Sequence, residues 1–210
     1  MLNNRKTFER LMAVLRAVDP KISLPAGFEE YLWANMQVED LCRVERMLEQ
    51  EGATPRKAYF VVRGLVIVEG YVNGLPYLQS IYRENTIVGL NAFMKHEVSL
   101  QSVSGTKDTL VWSISHKCME EIYRTWPGLR AFALQTALNY LEMKQVQRSA
   151  FQALEEKERV LGFYQAYAGL LPVRKSRLSD KRIASYLAMP VRHMRGFRTA
   201  LGKEGMLYCA

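Results

Sequence analysis

The chain has 210 residues, of which 49% are hydrophobic and 24% charged, and its formal net charge is +8. This composition excludes a disordered chain, and the length suits one large domain or two modest ones. Nothing at the N-terminus resembles a secretory signal, no run of eighteen apolar residues exists, and three widely spaced cysteines argue against a disulfide framework. We therefore expect a cytoplasmic protein that does not enter a membrane.

The first predicted elements are two helices, one over residues 6 to 18 and one after Pro25, because apolar residues recur there at helical spacing. From residue 41 to 114 the pattern changes to short β-branched and aromatic runs separated by Gly, Asn and Asp. The pair Asn73-Gly74 joins two such runs and predicts a hairpin with a type I′ turn. With further strands at 98 to 103 and 110 to 114, this region predicts an antiparallel barrel or sandwich.

A long helix is predicted over residues 129 to 151, after a short one over 117 to 126, because neither Pro nor Gly interrupts it. Leu134, Leu138 and Leu141 recur along it at alternating four- and three-residue steps. Such a seam predicts pairing with a second copy of the same helix. A helix lying on its own β-domain remains the alternative, although a helix about 30 Å long would overhang a small barrel.

The positive charge is concentrated at the C-terminal end. Residues 172 to 210 contain nine Lys or Arg residues against Asp180 and Glu204, a net charge of +7, so the rest of the chain is close to neutral. Helices are predicted at 155 to 168, 179 to 187 and 191 to 201, and the last two have the spacing of a helix-turn-helix. A basic excess confined to such a module is typical of nucleic-acid binding.

Three motifs resemble those of the Crp/Fnr family of bacterial transcription regulators: Tyr59-Phe60-Val61-Val62-Arg63-Gly64-Leu65-Val66, Leu154-Glu155-Glu156-Lys157-Glu158-Arg159-Val160 and Ile183-Ala184-Ser185-Tyr186-Leu187. The resemblance implies an α+β fold with a double-stranded β-helix (jelly-roll) of the cyclic-nucleotide-binding type at 1–128. A dimerisation helix at 129–153 and a winged-helix-type helix-turn-helix domain with a reduced wing at 154–210 would follow. It also implies a homodimeric regulator that binds a near-palindromic site in double-stranded DNA, with RNA polymerase as a candidate partner.

The chain departs from this family at the effector site. Members that bind cyclic nucleotides carry Gly-Glu and then Arg-Ser or Arg-Thr, whereas this sequence has Gly89-Leu90 and Ser99-Leu100. At these positions there is neither a carboxylate for the ribose nor a guanidinium for the phosphate, so we expect no bound cyclic nucleotide and no other cofactor. The cysteine cluster of the iron-sulfur members is also missing, and we expect no metal. Gly89, Leu90, Asn91, Ser99 and Leu100 are the predicted pocket for an unknown small-molecule effector. Such a pocket would favour an uncharged or apolar ligand, or none at all.

The helix-turn-helix departs from the family as well. Ala188 replaces the usual turn glycine, and Arg195-Gly196 stands where a Ser-Arg pair is usual. We predict that Arg192 and Arg195, with His193 beside them, face base edges. The predicted phosphate contacts are Lys181, Arg182 and Arg198.

The alternative function is a small-molecule-binding or protein-interaction module whose DNA-binding end has decayed. No enzyme is expected, because no nucleophile, base and oxyanion stabiliser come together in the sequence.

Overall fold

The computed structural model describes residues 5–20, 22–41, 44–89, 91–171 and 176–207. The helices are α1 (Arg5–Val18), α2 (Phe28–Asn35), α3 (Asn91–Lys95), α4 (His116–Thr125), α5 (Gly128–Gln152), α6 (Glu156–Ala166), α7 (Asp180–Tyr186) and α8 (Val191–Lys203), with a 3-10 turn at Ala168–Leu170. The strands are β1 (Gln37–Leu41), β2 (Arg46–Glu49), β3 (Lys57–Arg63), β4 (Val66–Val72), β5 (Leu75–Tyr82), β6 (Ile87–Val88), β7 (Gln101–Gly105) and β8 (Thr109–Ser115). No described helix is both long enough and apolar enough to cross a bilayer.

The strands form two four-stranded sheets, in the orders β1-β8-β3-β6 and β2-β7-β4-β5. Pairing is antiparallel between β1 and β8, between β3 and β8, and between β2 and β7. Each sheet therefore takes strands from distant parts of the sequence, as a β-roll requires. The predicted α+β class with an N-terminal β-roll is confirmed.

Strand β3 buries side chains on both of its faces. Phe60 and Val62 pack into one apolar cluster, which includes Phe8 of α1 and Trp112 of β8. Tyr59 and Val61, which alternate with Phe60 and Val62 along the strand, pack into a second cluster with strands of the other sheet. Alternating side chains point to opposite faces, so this strand separates the helical layer from the interior of the roll.

Two tight turns depend on residues that tolerate positive φ angles. Asn73 and Gly74 both have positive φ angles, 51° and 74°, which confirms the predicted type I′ hairpin between β4 and β5. Gly64 has φ 88°, and a Cβ there would lie 2.8 Å from the Thr109 Cα. Glycine at 64 is thus required both by backbone conformation and by the close approach of β8.

Some predicted bounds were wrong. The β-region begins at Gln37 rather than 41, because β1 pairs with β8 through residues 37 to 41. The strand predicted from residue 98 begins at Gln101, since Ser99 closes a local turn in which its hydroxyl bonds to the amide and carbonyl of Gln101. The predicted wing strand extends into residues 208–210, which lie outside the described part of the chain.

The chain divides into two compact units. The first comprises residues 1–68 and 81–142, and the second comprises 69–80 and 143–210. The outer part of the β4–β5 hairpin thus belongs with the C-terminal helices. The division also cuts α5 within its length, whereas the sequence predicts that helix as a segment of its own.

Candidate nucleic-acid interface

A complete helix-turn-helix lies in the second unit, formed by α7 and α8. Ser179 caps α7, since its Oγ accepts from the Arg182 backbone N at 3.3 Å. Ala188 then adopts φ 52°, and its N donates to the Ser185 carbonyl while the Met189 N donates to the Ala184 carbonyl. This pair of bonds is a Schellman ending, which satisfies carbonyls at the end of α7 despite the cost of a left-handed alanine.

The two helices are positioned by a buried aromatic core. Tyr186 of α7 and Met194 of α8 are fully buried, and Phe163 of α6 lies 5.8 Å from the Tyr186 ring. Burial of residues at 194 and 201 leaves 192, 195 and 199 on the outer face of α8, as helical spacing predicts. The side chains at 192 and 195 are therefore presented to solvent by packing on the opposite face.

Arg159 connects the turn to the end of α5. Its guanidinium donates to the Leu187 carbonyl at 2.8 Å, to the Gln152 carbonyl at 3.0 Å and to the Leu154 carbonyl at 2.9 Å. A planar guanidinium with several fixed donors suits this task better than a lysine would. Arg159 is the arginine of the motif at 154–160, so the motif has a structural function here.

Asp180 binds two arginines of α8. Its carboxylate accepts from Arg198 at 2.6 and 3.2 Å and from Arg195 Nε at 2.5 Å. The hydrogen bond from Arg198 is the main cause that lowers the pKa of Asp180 below its usual value; partial burial opposes it, and Arg195 adds to it. Arg198 also donates to the Tyr164 hydroxyl at 2.9 Å, and its side chain is only 14% exposed. Arg198 is thus bound within the module by Asp180 and Tyr164, and its predicted contact with a phosphate stays a prediction.

Arg182 is paired within the same unit. Its Nε and Nη2 each donate to the Glu69 carboxylate at 2.9 Å, a bidentate pair between α7 and the β4–β5 hairpin. Beside it, the Leu78 backbone N donates to Ser185 Oγ at 3.0 Å. The hairpin thus holds the first helix of the helix-turn-helix by a charged and a neutral bond. Glu69 was not singled out from the sequence, and Ser185 was noted only as part of the motif at 183–187.

The remaining predicted contacts lie on the surface. Arg192 and Lys181 are exposed, and neither side chain forms an ion pair with another described residue. Arg195 is 61% exposed although it contacts Asp180. His193 Nδ1 lies 3.2 Å from the Glu156 carboxylate. The structure therefore places Lys181, Arg192, His193 and Arg195 outward, although Arg195 also contacts Asp180 and His193 contacts Glu156. Arg182 and Arg198 are less exposed and are paired with Glu69 and Asp180.

The described residues predicted for an effector pocket differ in their surroundings. Gly89 lines an apolar pocket in the first unit. Asn91 is exposed and Leu100 is 78% exposed, while the buried Ser99 bonds within its own turn. Leu90 lies outside the described residues. Among the described residues, no group of three or more His, Cys, Asp or Glu side chains could hold a metal ion.

The predicted pairing residues lie on one side of α5. Leu134 and Leu138 are 41% and 45% exposed, and Leu141 is half-buried. Phe132 and Ala137, on another side of the helix, are buried in the first unit. Exposed leucines at this spacing leave an apolar stripe that nothing in the described chain covers.

No protein-family model matches the sequence, and no curated protein matches it. Solved structures do share its fold. FixK2 from Bradyrhizobium japonicum is 16% identical, with 81% of this chain and 86% of that chain covered and a TM-score of 0.64. A protein of Eubacterium rectale assigned to the Crp/Fnr transcriptional regulators is 13% identical, with coverage of 87% and 85% and a TM-score of 0.66.

A third structure with this fold is the c-di-GMP responsive global regulator CLP of Xanthomonas campestris. It is 13% identical, the two chains are covered to 89% and 96%, and the TM-score is 0.62. Likenesses at this identity establish the fold. The resemblance to the Crp/Fnr family is therefore confirmed in the architecture of the chain.

Proposed function

We propose that the chain is a DNA-binding transcription regulator of the Crp/Fnr type. The observation that carries the proposal is the helix-turn-helix whose second helix presents Arg192 and Arg195 to solvent, within a segment of net charge +7. Arginine reads guanine O6 and N7 in the major groove, and the surrounding cations supply affinity for phosphates. The alternative, a module with a decayed DNA-binding end, predicts no binding.

Fluorescence anisotropy with duplexes selected from a random library tests this proposal. We expect tight binding of the selected duplex, weakened roughly tenfold or more by Arg192→Ala or Arg195→Ala. Arg124→Ala is the matched control, because Arg124 is exposed on α4 in the other unit. Absence of binding even at low salt would overturn the proposal, and so would equal losses with all three variants.

The active form in this proposal is a homodimer paired through α5. Support comes from the exposed stripe at Leu134 and Leu138 and from the predicted heptad spacing. A two-fold pair of modules would bind half-sites one helical turn apart, and a near-palindromic duplex fits that symmetry.

The molar mass measured by analytical ultracentrifugation tests this assignment. The parent protein should sediment as a dimer, and the double variant Leu134→Asp, Leu138→Asp should sediment as a monomer. Leu100→Asp, on another exposed apolar residue of the first unit, should leave the dimer intact; a monomeric parent protein would contradict this assignment.

The effector in this proposal is not a cyclic nucleotide. The sequence lacks the acid and the arginine that would hold the ribose and the phosphate, and a buried phosphate without a cationic partner is costly. Calorimetry with cyclic AMP and cyclic GMP should therefore give no binding heat. Micromolar affinity for either nucleotide would overturn this part of the proposal and leave the DNA-binding part unaffected.

A further inference from the structure

The first unit contains an apolar pocket of about 110 Å³. It lies among α1, α2, β3, α4 and α5, and its wall on α5 includes Phe132, Ala133 and Ala137. Gly89 contributes to the wall without a side chain. The pocket is thus built by several elements that pack together, rather than by one surface loop.

The pocket has no charged wall. None of the described residues that line it is Asp, Glu, Lys, Arg or His. Its two hydroxyl side chains are already engaged, since Tyr59 donates to Glu49 Oε1 at 2.8 Å and Thr136 donates to the Phe132 carbonyl at 2.8 Å. A polar or ionic ligand would lose its hydration here without gaining partners, so the lining selects against one.

The size and the composition of the pocket define the ligand further. Apolar cavities of about 150 Å³ in proteins remain dry and bind benzene, so a pocket slightly smaller than that suits a single ring or a short branched hydrocarbon. Met36, Met94 and Met119 lie on its wall. Methionine side chains are flexible and adapt to irregular shapes, so the wall can adjust to a guest.

We infer that this pocket is a binding site for a compact, uncharged, apolar molecule about the size of one aromatic ring. The predicted effector residues Asn91, Ser99 and Leu100 are not part of it. The site does not depend on DNA binding, and it can be tested on the full chain without DNA. A cyclic nucleotide fits neither its volume nor its chemistry.

Toluene serves as the probe and benzoate as its charged counterpart. Saturating toluene should raise the Tm by roughly 2–4 °C, because a ligand that binds only the folded state stabilises it. It should also shift the NMR methyl signals of Met36, Met94 and Met119. Benzoate at the same concentration should do neither. If toluene leaves the Tm and these methyl signals unchanged, or if benzoate matches it, the inference is overturned.

Two variants locate the site. Ala133→Leu puts a larger side chain on the pocket wall and should weaken toluene binding at least tenfold, whereas Ala131→Leu on the exposed face of the same helix should not. If Ala133→Leu fails to fold, Gly89→Ala replaces it, because an added Cβ would lie 3.9 Å from the Ala137 Cβ and is tolerated. Undiminished toluene binding in a folded pocket variant would contradict the assignment.

Discussion

Asp180 stabilises the helix-turn-helix by accepting hydrogen bonds from two arginines of α8. Replacing it with Asn removes the charge that neutralises the nearly buried Arg198. We expect the second unit to lose about 1–3 kcal/mol, since one partner of a buried pair is left uncompensated. Hydrogen exchange of the α8 amides measures this loss. Glu204→Gln is the control: it removes a more exposed pair with Lys157 and should cost less than about 0.5 kcal/mol.

The contribution of Asp180 should also depend on pH. Its pKa is lower in the folded chain than in the unfolded chain, mainly because of the hydrogen bond from Arg198. The folded state therefore binds fewer protons, and the stabilisation is present above the unfolded pKa of about 4 and lost as the pH falls through the folded value. The difference between the parent protein and Asp180→Asn should shrink below pH ~4 in urea unfolding. A difference that stays constant down to pH ~2 would contradict this cause.

Replacement by alanine should have opposite effects on stability at Gly196 and at Gly64. Gly196 lies inside α8 with nothing within 4 Å of an added Cβ, so Gly196→Ala should stabilise the second unit by about 0.5–1 kcal/mol. Gly64 has a positive φ and a crowded neighbour, so Gly64→Ala should destabilise the first unit by more than that. Thermal unfolding of the two variants checks both signs, and a loss of stability in Gly196→Ala would show that the helix is strained there.

At the scale of elements, the β4–β5 hairpin holds α7 through the pair between Glu69 and Arg182. Glu69→Gln keeps the size of the side chain and removes its charge, so Glu69 no longer neutralises the positive charge of Arg182. We expect DNA affinity to rise roughly three- to tenfold and its salt dependence to become steeper by about one unit per module. Glu51→Gln, an exposed acid in the first unit, should change neither quantity. A lower affinity for Glu69→Gln would mean that the pair positions α7 for binding.

The elements that sequence predicts well are those whose signal is local. The hairpin at Asn73-Gly74, the unbroken run that forms α5 and the boundary of α7 at Ser179 all depend on neighbouring residues. Strand β1 was missed at its start because Gln37-Val38-Glu39-Asp40 has no strong strand pattern, and only pairing with β8 makes it a strand.

The cations of the candidate site were evident from the sequence. Their acidic partners were not, because Glu69 and Arg182 are 113 residues apart, although a lone aspartate within a basic segment could have drawn notice to Asp180.

At the scale of the whole molecule, a cation that contacts phosphates and a cation that contacts base edges should differ in how they affect the salt dependence of DNA binding. Lys181→Ala should weaken binding of selected and scrambled duplexes alike, and it should reduce the slope of log K against log salt by about one per module. Arg192→Ala should instead weaken the selected duplex more than the scrambled one, because a base contact carries sequence preference. Anisotropy titrations from low to high salt measure both effects, and identical behaviour of the two variants would contradict the division of roles.

The three carbonyls that Arg159 binds have a mechanical consequence. Gln152 is the last residue of α5, Leu154 lies two residues beyond it, and Leu187 lies at the corner of the helix-turn-helix. One guanidinium joins all three. We therefore expect a rotation of the last turn of α5 to move that corner as well. We expect Arg159→Lys to leave both helices folded and to weaken this connection, because an ammonium group lacks the planar set of donors that binds the three carbonyls.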